Sequence, residues 1–172
     1  MYSKVKIGGH PLHIMLVGFP ITFYVLTLAG FLVYKFFSPD IFWYKLGYFS
    51  NYAAVVSALV AAIPGIVDLF WGVPRYSEVR KTGLIHMLLN LITIALFAAN
   101  AILISGNWET GLIPTGTNIF LSALGVITVM AAGYFGWELV GRHKVGVELN
   151  PEQRRLEEDE EIHREDGPVI FH

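Results

Sequence analysis

Cysteine is absent from all 172 residues. Its absence excludes disulfides, thiolate metal centres, thioether-attached haem and cysteine-ligated iron–sulfur clusters. Charge is scarce as well: Asp, Glu, Lys and Arg make up 15% of the chain against 54% hydrophobic residues. With a formal net charge of −2 there is no basic surface for nucleic acid. No hydrolase triad or phosphate loop is present, and the glycines of "KIGGHP" alone do not make a nucleotide site. The chain shows no repeat at a fixed period and no low-complexity segment.

What the chain has is long apolar runs. Four stretches, about 11–37, 43–69, 82–104 and 117–140, exceed the roughly 18 residues needed to cross a bilayer as a helix. They are apolar on all sides rather than alternating, so helices are expected and strands are not. Tyr2, Phe36, Phe37, Phe42, Trp43, Tyr44, Phe70, Trp71, Trp108 and Trp137 fall near the span ends, where an interfacial aromatic belt belongs. The expected fold is all-α: an integral membrane four-helix bundle over residues 1–147, followed by a short acidic tail over 148–172.

Basic residues set the expected orientation. Lys4, Lys6, Arg75, Arg80, Lys81, Arg142 and Lys144 lie on one side, and Lys35 and Lys45 on the other. The positive-inside rule then places both termini in the cytoplasm. From Val145 to His172 nine acidic and three basic residues give −6, whereas the preceding part carries +4. "NPEQ", Asn150–Gln153, reads as a capping box opening a short solvated helix.

Polar side chains inside the spans are the candidates for function, because hydrocarbon penalises them. His86, Asn90, Thr93, Phe97 and Asn100 advance by four and three residues and share one helical stripe, which must face protein. Ser57, Ala61, Pro64 and Asp68 form a second such stripe. Pro20 and Pro64 free the carbonyls of Leu16 and Val60, so bends are expected there. Ala132 and Gly136 mark a tight packing face, within the chain or in a homo-oligomer.

Topology gathers His10, His13, Asp68, His86, Glu138, Arg142 and His143 at one end of the bundle. Three uses of this polar layer stand open. In the first, His13 and His86, with His10 and His143 in reserve, clamp a b-type haem from opposite faces, its propionates meeting Arg80, Lys81 or Arg142. In the second, His10, His13 and His86 join Asp68 or Glu138 around a divalent metal. In the third, the same groups conduct or sense protons and no cofactor is bound. A purely structural subunit, docking a partner through its tail, is a further alternative, and no catalytic residue is assigned.

Three motifs, "HPLHIMLVGFPI" (His10–Ile21), "GLIHMLLNL" (Gly83–Leu91) and "GWELVGRHKVGV" (Gly136–Val147), resemble the bacterial membrane-protein family called domain of unknown function 2231. The resemblance extends from about residue 9 to 147. It implies four spans and names no reaction. Relatives of this kind carry fusions to Rieske-type iron–sulfur domains, which implies a redox setting and a redox protein as partner. The family's histidine motifs fall on His10, His13, His86 and His143, while a further family histidine before the Phe-Pro pair is replaced here by Gly18.

Overall fold

The computed structural model describes residues 3–109, 116–147 and 150–156. Tyr2, the middle of the loop after Trp108 and the tail beyond Leu156 lie outside the described residues. The fold is an all-α bundle of four long apolar helical stretches, Leu12–Phe36, Ile41–Gly72, Glu78–Ile104 and Gly116–Arg142. Each is long enough to span a bilayer.

The first stretch is broken in two, α1 (Leu12–Leu16) and α2 (Gly18–Phe36), with Val17 between them. The break falls beside Leu16, whose carbonyl Pro20 leaves without an intrahelical donor. In contrast, α3 (Ile41–Val67) runs through Pro64 without interruption. It starts at Asp40, whose side chain accepts from the Phe42 amide, and ends in a π-helical turn, Asp68–Gly72. Next, α4 (Glu78–Ile104) begins at Ser77, whose hydroxyl accepts from the Arg80 amide. The last, α5 (Gly116–Trp137), also ends in a π-helical turn, Glu138–Arg142. Beyond it, Asn150 and Gln153 exchange side-chain and backbone bonds of 3.0 and 2.8 Å, the reciprocal capping box, and residues 151–156 are helical.

One piece is not helical. His10 does not cap α1: with Pro11 it forms β2 (His10–Pro11), paired antiparallel with β1 (Lys6–Ile7). Gly8 and Gly9 make the two-residue turn at φ of 58° and 85°, the left-handed pair a tight hairpin needs. A Gly-Gly between two short extended pieces is a hairpin signal that the long apolar runs overshadow.

Helix α2 packs mainly on α3, and α4 mainly on α5. The two hairpins so formed repeat one plan. Each carries a histidine on its first helix, an Ala and a Gly four residues apart on its second, and a π-helical turn at its end. His86 follows His13 by 73 residues and Phe97 follows Tyr24 by 73, whereas Ala132 and Gly136 follow Ala61 and Gly65 by 71. Counterparts meet each other: ring centroids lie 6.3 Å apart for His13 and His86 and 4.2 Å for Tyr24 and Phe97. A residue that touches its own counterpart lies on the axis relating two halves. Both hairpins run in the same sense, so this is a parallel repeat with its axis along the bundle. The offset drifts and the paired residues differ in identity, which is why no fixed period is visible in the sequence.

At the end of the bundle far from the termini, the halves lock together through buried amides. Asn100 donates to Asn51 Oδ1 and Ser122 Oγ at 3.0 Å each, and Asn118 donates to Asn100 Oδ1 at 2.7 Å. Asn51 in turn donates to the Phe97 carbonyl at 3.0 Å. In the same half, a Cβ on Gly30 would stand 2.7 Å from the Gly47 amide nitrogen and 2.8 Å from the Trp43 carbonyl oxygen. These atoms are all α3 backbone, so no side chain can move to make room. Gly30→Ala is expected to destabilise the bundle by about 1–3 kcal/mol, read as a lowered thermal unfolding midpoint in detergent. An unchanged midpoint would show that the α2–α3 contact is looser than this.

Candidate functional site

In an apolar bundle an imidazole N–H needs an acceptor, and each half supplies one from its own second helix. His13 Nδ1 lies 2.8 Å from the Ala61 carbonyl oxygen, and His86 Nδ1 lies 2.8 Å from that of Ala132. A carbonyl only accepts, so both Nδ1 atoms carry the hydrogen and donate. In the neutral ring this leaves Nε2 with a free lone pair. The small residues one turn further on admit the rings. A Cβ on Gly65 would meet His13 Nδ1 and Cε1 at 2.8 Å, and one on Gly136 would stand 3.1 Å from His86 Cε1. The Ala132–Gly136 pair expected to pack another helix closely thus accommodates a histidine.

The two rings stand nearly perpendicular, at 89°. They line a cavity of about 400 Å³ to which all four helices contribute, running from Ser3 and Gly146 at the terminal end to Tyr24 and Val129 deep in the bundle. Its volume is that of a small-molecule or cofactor site, usually about 300–1,000 Å³. Apart from the two histidines, Asn90, Ser3 and Asp68, apolar and small side chains dominate its walls. Asn90 Nδ2 donates to the His86 carbonyl at 2.9 Å and lies 3.2 Å from His86 Nε2. Val17, four residues after His13, is the apolar counterpart.

The family model described as "Predicted membrane protein (DUF2231)" matches residues 9–149 of the chain. The chain belongs to this family. Its model takes in all four helical stretches and both histidines of the cavity. No curated protein and no solved structure matches the chain.

The other sequence candidates lie elsewhere. His10 is exposed on β2, and neither it nor His143 lines the cavity. Glu138 pairs with Arg142 at 3.0 Å, four residues on. Arg80 Nη1 donates to the carbonyls of Leu69 and Val73, and its guanidinium stacks 4.9 Å over the Phe70 ring. Lys81 is exposed, and none of Arg80, Lys81 and Arg142 lines the cavity. Among the described residues no three His, Asp or Glu side chains converge on one point. The five-residue metal set of His10, His13, His86, Asp68 and Glu138 is therefore not assembled here.

Asp68 fails to join that set because the chain's own start occupies it. One carboxylate oxygen accepts from Ser3 Oγ at 2.7 Å, and the other from the amides of Lys4 and Val5 at 2.6 and 3.3 Å. The Val5 carbonyl then accepts from the Leu12 amide at 3.0 Å, fastening the β-hairpin to the start of α1. Among the described residues Asp68 pairs with no arginine; it latches residues 3–5 over the terminal end of the cavity. Asp68→Ala removes three charge-assisted bonds, so tryptic cleavage after Lys4 and Lys6 should quicken by roughly one to two orders of magnitude while the bundle stays intact. An unaltered cleavage rate would refute the latch.

Proposed function

We propose that the protein is a membrane-embedded b-type haem protein, with His13 and His86 as the axial ligands and electron transfer as its task. The observation that carries this reading is the histidine pair: two lone-pair nitrogens from facing hairpins, each ring oriented by a backbone carbonyl, across an apolar cavity. Orienting the metal-binding nitrogen through the other ring N–H is the usual support for a histidine ligand. The spacing agrees as well. A metal held by both Nε2 atoms at about 2 Å in a straight line would set the ring centroids roughly 6.3 Å apart. A bare metal ion would need further donors near it and no cavity, whereas a porphyrin supplies its own four nitrogens and needs apolar room.

When bound, the haem supplies a one-electron couple whose potential the axial ligands and the apolar walls tune. The chain's own part is to hold both imidazoles in fixed orientation and to exclude water. The three basic residues expected at the propionates do not line the cavity, so the propionates would reach solvent at its terminal end or meet backbone amides there. The distribution of basic residues supports a cytoplasmic-membrane location with both termini inside the cell.

Protein purified in detergent from cells with ample haem should show a Soret band and, when reduced, sharp α and β bands of low-spin iron, at one haem per chain. The perpendicular rings should give a low-spin ferric EPR signal of strongly anisotropic, large-g type rather than the rhombic signal of parallel imidazoles. His86→Ala should abolish the low-spin spectrum. A wild-type protein without a Soret band would overturn the proposal, and elemental analysis would then separate a zinc or copper protein from one without metal.

A further inference from the structure

The repeat makes the two histidines comparable, and they are not equal. Both donate Nδ1–H to an alanine carbonyl, so both have only Nε2 to offer a ligand. At His86 that atom has a second possible partner, the Asn90 amide at 3.2 Å. At His13 the counterpart of Asn90 is Val17, which donates nothing to it from its side chain. Both Val17 and Asn90 line the cavity, so the difference lies at the site itself.

We infer that His13 is the permanent ligand and His86 the replaceable one, so that the site also takes up a small diatomic ligand at the His86 position. This rests on the haem reading above. Once His86 leaves the iron, Asn90 satisfies its Nε2. A departing His13 would leave a half-buried acceptor without a donor among apolar walls, at a cost in hydrogen bonding. An incoming ligand therefore displaces His86, and Asn90 sets how readily it does so. Asn90 is a positioning residue in this scheme, acting through His86 and not on the iron.

The probe is carbon monoxide, titrated spectroscopically into the reduced, haem-loaded full chain. Asn90→Val, which copies the other half, should weaken carbon monoxide binding by roughly three- to tenfold, because His86 then has no alternative to the iron. His86→Ala should keep its haem through gel filtration and bind carbon monoxide more tightly than wild type, whereas His13→Ala should lose haem. Val17→Asn should give His13 the same alternative and reduce haem retention. Equal haem loss from the two histidine variants, or unchanged affinity in Asn90→Val, would overturn the assignment while leaving the haem reading intact. A wild-type protein without a Soret band would overturn both.

Discussion

The hydrogen bond from each cavity histidine to a backbone carbonyl is the constraint on which the rest of this bundle depends. An imidazole N–H left unpaired in an apolar interior costs about as much as a helix cap or more, so the ring has to reach an acceptor. In each hairpin the acceptor is the carbonyl of an alanine on the facing helix, Ala61 or Ala132. That choice ties α1 to α3 and α4 to α5. It also requires a glycine one turn onward, where any side chain would collide with the ring. Both rings then line the cavity to which all four helices contribute.

The two ends of the bundle solve the problem of buried polarity differently. Far from the termini, Asn51, Asn100, Asn118 and Ser122 bond one another across the two halves. Near the termini His13 and His86 bond to carbonyls of their own hairpins, and a cavity opens beside the two rings. A network closed on itself fixes how the halves sit together, and this rigidity at one end allows a gap at the other to persist. The aromatic pair of Tyr24 and Phe97 lies between the two regimes and closes the deep end of the cavity.

Much of this was legible from sequence. Run length declares the four helices, and the stripe of His86, Asn90, Thr93, Phe97 and Asn100 faces the cavity or the core, because hydrocarbon forbids the alternative. The capping box at Asn150 is a local pattern and forms as read. What escaped reading depends on partners far apart in the chain. Asp68 binds residues 3–5, more than sixty positions away, through backbone amides that carry no sequence signature. Ala61 and Ala132 act through their carbonyls, so their side chains say nothing of the role. The small pair at Ala61 and Gly65 matches the one at Ala132 and Gly136, and setting the two side by side is the signal by which the repeat becomes visible.

A repeat also shows where the chain has departed from symmetry, and those departures carry information that either half alone would hide. The π-helical turns begin with an acid in both halves, but Asp68 faces the amino-terminal segment while Glu138 pairs with Arg142 on its own turn. The histidine surroundings differ in the same way. If the site merely required two equivalent donors, packing alone would favour an aliphatic residue after each, as at Val17. A half-buried asparagine amide in an apolar bundle needs acceptors, and Asn90 finds them in the His86 carbonyl and ring. The repeat builds two matching histidines, and Asn90 makes their surroundings different.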